Sequence, residues 1–109
     1  MKIATKNEME NNTEMLLKLI DLGEDVGTWS VQQDDHSDDL FCGTLEEATE
    51  AAKEYYRDGM DIVCIAKMGL TNINGSLCAD FCFKSISIGD LYSSEEEFAA
   101  DTKQHDENQ

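Results

Sequence analysis

Positive charge is scarce in this sequence: eight Lys and Arg stand against 24 Asp and Glu among 109 residues, a formal net charge of −16 at pH 7. That balance excludes direct binding to nucleic acid, because every approach to a polyanion is repulsive and no basic patch offsets it. It also disfavours membrane surfaces, whose anionic leaflets attract basic proteins and repel acidic ones. Long apolar runs are missing too. None approaches the roughly 18 residues that a membrane-spanning helix needs, and Met1–Glu14 is polar, without the apolar centre of a secretory signal. The expectation is a soluble, cytoplasmic protein. The catalytic motifs are equally absent: there is no P-loop, G-x-G-x-x-G, H-E-x-x-H or G-x-S-x-G. Neither an enzyme nor a cofactor is expected.

What is present is carboxylate, and it is unevenly placed. Residues 21–61 carry thirteen Asp and Glu against Lys53 and Arg57, and residues 85–109 carry seven against Lys103. Residues 1–20 balance, and residues 62–84 hold Lys67 and Lys84 against Asp80. Self-repulsion at such a charge works against compactness unless salt screens it or a cationic partner offsets it.

Cys42, Cys64, Cys78 and Cys82 are even in number, but no pair has the close C-x-x-C spacing of zinc ligands. Cys64, Cys78 and Cys82 sit in apolar, strand-like runs, so reduced core thiols are expected, with Cys64 and Cys82 shielded from solvent. His36 and His105 lie in polar surroundings and read as surface histidines, and a Cys42–His36 catalytic pair has no support beyond proximity in the chain. Asp35, Ser37, Asp39 and Glu46 occupy positions one, three, five and twelve of an EF-hand-like loop. The pattern fails at position six, where Leu40 stands in place of glycine, and a strand rather than a helix precedes it. No metal site is assigned.

Hydrophobic residues make up 40% of the chain, enough for one core at this length. Met15, Leu16, Leu19, Ile20 and Leu22 recur at helical spacing after Asn11 or Asn12, with an earlier start near Lys6 as the alternative, and Gly23 stops that helix. Thr28–Gln33 alternates as a half-buried strand. Thr44 with Glu47 forms a capping box, and Leu45, Ala48, Ala52 and Tyr55 mark one helix face until Gly59. Asp61–Met68 reads as a central strand, and Asn74-Gly75 turns the chain into a return strand, Leu77–Ile88, with a bulge near Lys84 or Ser85. Ser94 with Glu97 caps a short last helix. The fold class is α+β, in the order α-β-α-β-β-α: a three-stranded, mainly antiparallel sheet with a helix packed on one face. A single domain is expected over 1–99. Residues 100–109 have no large apolar side chain to offset the entropy of ordering and are expected to form a disordered acidic tail.

The central helix carries the strongest functional pattern. Glu47, Glu50, Glu54 and Asp58 follow at steps of three, four and four and so form one stripe, with Glu46 beside it. At about 1.5 Å per residue the stripe runs roughly 16 Å, with a charge spacing comparable to that of phosphates along a nucleic-acid strand. Together with Asp34, Asp35, Asp38 and Asp39 in the preceding loop, these residues form the candidate partner-binding surface. A solvated helix face would account for the stripe alone; the stripe, the Asp34–Asp39 loop, the Glu24-Asp25 turn and the Glu95–Glu97 cluster, with few interleaved cations, exceed what solvation requires.

In size, charge pattern and alternation of acidic helix with short strands, the chain resembles the small acidic proteins with which bacteriophages disable host defence, including anti-CRISPR and antirestriction proteins that mimic DNA. The resemblance lies in charge and size, not in aligned residues, and it assigns no site residue. It implies stoichiometric inhibition of a basic nucleic-acid-binding protein or complex in a bacterial host. The alternative is a regulatory protein–protein adaptor that is acidic only for solubility. Either way, micromolar protein should not retard duplex DNA or RNA in a gel at physiological salt. Specific retardation would contradict the charge argument at its root.

Overall fold

The computed structural model describes residues 1–34 and 40–109. The chain runs β1 (Lys2–Ile3), α1 (Lys6–Asn11), α2 (Thr13–Asp21), β2 (Val26–Gln33), β3 (Leu40–Cys42), α3 (Leu45–Arg57), β4 (Ile62–Ile73), β5 (Ser76–Ser87), a 3-10 turn at Ile88–Leu91, and α4 (Glu95–Glu107). The α+β class is as the sequence suggests; whether the strands on either side of α3 pair antiparallel or in parallel through a crossover is open in the sequence, and the structure pairs β2 with β4, and β4 with β5, antiparallel. The expected three-stranded sheet is too small, however. Two short strands add to the free edge of β2: β1 in parallel at Val26 and Gly27, and β3 in antiparallel at Trp29, Ser30 and Val31. Two- and three-residue strands leave no readable alternation, which is why the order α-β-α-β-β-α missed them.

The first helix is also two helices. Thr5 caps α1 by accepting the Glu8 N–H at 3.0 Å, and Asn12, at φ −128°, breaks the path before α2. The expectation of a helix on one face of the sheet is corrected as well, because both faces are covered. Trp29 and Val31 point from β2 toward α3 and pack with Ala48, Ala52, Tyr56, Ile62 and Ile65. The opposite parity, Val26 and its neighbour Leu70 on β4, packs with Ala4 and Leu16 of the N-terminal segment. β2 is therefore buried on both sides. Its polar residues Thr28 and Ser30 are accommodated by hydrogen bonds, Thr28 Oγ1 donating to Cys42 O at 2.9 Å and Ser30 Oγ to Ala66 O at 3.5 Å.

The β4–β5 hairpin turns at Asn74-Gly75, both at positive φ (53° and 83°), as a two-residue type I′ connection requires. Phe83 and Asp80 have no register partner on β4, so β5 carries two bulges. One lies beside the Lys84 position expected from the phase shift in the sequence.

The largest correction is at the C-terminus. Residues 100–109 do not form a disordered tail: α4 continues to Glu107. No large aliphatic side chain holds it there. Instead His105, only 7% exposed, stacks on Tyr56 with ring centroids 4.4 Å apart, and Tyr56 Oη shares a 3.0 Å hydrogen bond with Thr102. Polar aromatic contacts replace the apolar ones that the sequence lacks, and the reading of His105 as a surface residue falls with the tail.

No disulfide joins the four cysteines. Their burial differs from expectation: Cys42 is buried, Cys64 and Cys78 are half-buried, and Cys82 is exposed on the outer strand. Apolar sequence neighbours did not shield Cys82, because among the described residues no element packs over that stretch of β5. Burial, reinforced by the Glu47 carboxylate and only partly opposed by Lys6, raises the Cys42 thiol pKa. Since the thiolate is the reactive form, Cys82 should be modified by a disulfide-exchange reagent in the native protein at least about tenfold faster than Cys42. Equal rates without denaturant would show that the β3–α3 junction is open.

Candidate acidic interface

Helix α3 presents its carboxylates for a geometric reason. Thr44, in an extended conformation, accepts the Glu47 N–H at 3.1 Å and starts the helix; Ala48, Ala52 and Tyr56 then anchor one side to the sheet. Tyr56, rather than the expected Tyr55, is the buried tyrosine of α3, because α4 supplies a second wall on its side; Tyr55 is only partly buried. With that face fixed, Glu46, Glu47, Glu50, Glu54 and Asp58 all project into solvent.

At the C-terminal end of α3 the stripe meets the end of β2. The Asp34 N–H donates to Asp61 O at 3.0 Å, and a polar cleft of about 280 Å³ lies between Gln33, Asp34, Gly59, Met60 and Asp61. Asp34 is exposed there. The other loop carboxylates of the expected surface, Asp35, Asp38 and Asp39, lie outside the described residues, as does His36. Six of the nine expected residues are thus described: Glu46, Glu47, Glu50 and Glu54 on α3, Asp58 at its C-cap, and Asp34 just past the end of β2, all exposed.

Both cations of α3 are directed away from the stripe. Lys53 Nζ sits 4.9 Å from the centroid of the Tyr92 ring, and Arg57 pairs with Asp101 at 3.2 Å. Asp101 also accepts the Tyr92 hydroxyl at 2.7 Å. Among the described residues, Glu46, Glu47, Glu50, Glu54 and Asp58 have no ion pair. Like charges at i,i+4 destabilise a helix by roughly 0.2–0.5 kcal/mol per pair, and Glu46–Glu50, Glu50–Glu54 and Glu54–Asp58 are three such pairs. The helix dipole favours Glu46 and Glu47 near its start but disfavours Asp58 at its end. The arrangement therefore carries an electrostatic cost that the fold itself does not relieve.

Sequence reasoning missed the element that draws the cations aside. Helix α4 packs on α3 through Phe98, whose ring lies 5.8 Å from Tyr56 and 5.1 Å from Tyr92. His105 adds contacts of 3.2 Å to both Asp61 and Asp106, and Asn108 donates to Arg57 O at 2.7 Å. The Ser94–Glu97 cap and Phe98 signalled the start of this helix; its docking through Thr102 and His105 had no apolar signature. The first turn of α4 exposes Glu95, Glu96 and Glu97, favourably placed at a helix N-terminus. Among the described residues no group of three or more His, Cys, Asp or Glu is placed to hold a metal ion.

Burial and the hydrogen bond to Asp101 raise the Tyr92 pKa well above the ordinary tyrosine value of about 10. Neutral Tyr92 is thus favoured in the folded state, so its stabilisation is complete below the unfolded tyrosine pKa and is lost as pH rises through the folded one. Asp101→Ala should cost about 1–3 kcal/mol, the penalty for leaving the Tyr92 hydroxyl without its acceptor. In the same variant Tyr92 should ionise at lower pH in an ultraviolet phenolate titration. A variant as stable as the parent with an unchanged titration would show that α4 is not held by this carboxylate.

Comparison with known protein families, with curated proteins and with solved structures finds no match to this chain. Its function is therefore to be read from its own surface.

Proposed function

We propose that this protein is an acidic inhibitor, acting in the cytoplasm of a bacterial host. It binds the positively charged nucleic-acid-binding surface of a host defence or nucleic-acid-processing protein by DNA or RNA mimicry of the anti-CRISPR or antirestriction type. The observation that carries the proposal is the exposed α3 stripe, whose five carboxylates have no ion pair among the described residues while Lys53 and Arg57 are engaged by Tyr92 and Asp101. A partner's Lys and Arg would supply the missing counter-charge, and the repulsion along the stripe becomes attraction in the complex. The field of a −16 protein would also speed association at low salt. No catalytic group or cofactor takes part: inhibition is by occupancy. The alternative, an adaptor acting through an apolar surface, draws on the exposed Phe81 and Phe83 of β5. The two differ in salt response, since a mimic loses affinity steeply as salt rises and competes with nucleic acid.

The test is charge reversal at Glu47, Glu50 and Glu54 to Lys in one variant, scored for inhibition and binding of a partner captured at low salt. If these groups face desolvated cations, affinity should fall by about 2–5 kcal/mol or more, while exposed substitutions change stability by only about 0.5 kcal/mol each. The control carries the same charge change at Glu10, Glu24 and Asp25, which are exposed on other elements; Asp101 is unsuitable because it holds Arg57 and Tyr92. Equal loss in both variants would mean that net charge alone matters and would refute a specific mimic surface.

A further inference from the structure

We infer that β5 is a self-association edge at which two copies of this chain pair as antiparallel strands about a two-fold axis through Cys82. This surface is separate from the acidic interface and does not depend on its function. β5 is the outermost strand: it pairs with β4, and among the described residues no strand covers its other side. An edge of that length presents a row of backbone N–H and C=O groups to any strand that fits.

Three features of the strand select a second copy as the occupant. The first is exposed aromatic surface. Phe81 and Phe83 are 47% and 50% exposed, with their rings in edge contact at 4.8 Å. Gly69 of β4 is the platform beneath them: a Cβ there would come within 2.5 Å of Phe81 Cε2 and 3.0 Å of Phe83 Cε2. The close approach that lets both rings lie on the sheet requires glycine, and the outer faces of the rings remain uncovered.

The second feature is charge. Residues 62–84 carry Lys67 and Lys84 against Asp80, in contrast to the strongly acidic segments on either side of them, so a second equally acidic copy meets little repulsion here. Lys67 and Lys84 stand directly opposite each other in the β4–β5 register, an unfavourable pairing of like charges, and neither has an ion pair among the described residues. A carboxylate on the incoming strand would relieve it.

The third is the order of residues, Asp80-Phe81-Cys82-Phe83-Lys84. Turned antiparallel on itself about Cys82, this segment sets Lys84 opposite Asp80 of the second copy, Phe83 opposite its Phe81, and the reverse. Two charge pairs and two aromatic pairs form at once from one sequence, the self-complementarity that an isologous dimer needs. The bulges at Asp80 and Phe83 bend the strand on either side of the axis, which confines pairing to a short central segment and disfavours open-ended sheet growth.

The experiment is sedimentation equilibrium of the full chain across protein concentration at low and high salt. A dimer is expected that tightens as salt screens the net charge of the two copies, the opposite of the salt response proposed for partner binding, so the failure of either reading is visible without the other. Asp80→Lys alone and Lys84→Asp alone should each weaken dimerisation about tenfold or more, since both symmetric charge pairs become repulsive together. The double variant, Asp80→Lys with Lys84→Asp, restores the pairs in exchanged positions and should recover the dimer, a rescue that a folding defect in either single variant would not produce. Two Cα atoms facing each other across an antiparallel pair lie about 4.5–5.5 Å apart, within disulfide reach. Copper–phenanthroline oxidation should accordingly give a covalent dimer from the parent and none from Cys82→Ser. A protein that stays monomeric at high concentration and high salt would overturn the inference. A dimer indifferent to the exchange and to Cys82 would overturn it equally, by placing the contact on another face.

Discussion

The structure depends on β2 being buried from both sides. With 40% hydrophobic residues and a net charge of −16, the chain has little apolar surface to spare, and it concentrates that surface around one strand. Trp29 and Val31 serve one layer, with α3; Val26 serves the other, with α2. A strand buried on two faces must also accommodate its polar residues, and Thr28 and Ser30 do so by donating to backbone carbonyls of neighbouring segments. Burying apolar area contributes roughly 25 cal/mol per Å², so gathering both layers on one strand is an efficient use of few residues. It leaves the outer faces of α3 and α4 largely to charged residues.

That outer charge is more one-sided in space than in sequence. Lys53 and Arg57 are interleaved with the α3 carboxylates along the chain, and simple helix spacing would allow them to neutralise their neighbours. Helix α4 prevents it. Its Asp101 takes Arg57, and Tyr92 just before it offers its ring to Lys53, so the cations help to dock one acidic helix on another. The same contacts that hold α4 in place strip the stripe of its counter-ions. Stability and surface potential are thus set by one small network, Tyr56-Tyr92-Asp101-Arg57-His105.

The molecule also separates its surfaces by kind. The acidic stripe belongs to α3, anchored over β2 and Ile65 of β4. The aromatic edge belongs to β5, where Phe81 and Phe83 rest on Gly69 and where Lys84 and Asp80 are the only charged residues of the strand. The salt responses proposed for the two surfaces are opposite, because one would attract a cationic partner and the other would bring two acidic copies together.

The local elements were legible in the sequence wherever a short-range device defines them. The Thr44 and Ser94 caps, the Asn74-Gly75 turn, the continuous apolar run of β4 and the spacing of Glu47, Glu50, Glu54 and Asp58 all act within a few residues, so their physics is contained in the chain segment itself. Tertiary structure alone decided the rest. β1 and β3 exist only because β2 offers them an edge; α4 is ordered through His105 and Thr102 only because Tyr56 stands opposite; and Cys82 is exposed because its strand ends the sheet. The stripe's freedom from cations was likewise not legible, since whether Lys53 and Arg57 reach a neighbouring Glu or a distant Asp101 depends on which helix packs beside them. Residue type and spacing set what each segment is able to do, whereas burial and counter-charge belong to whatever segment, remote in the chain, comes to lie against it.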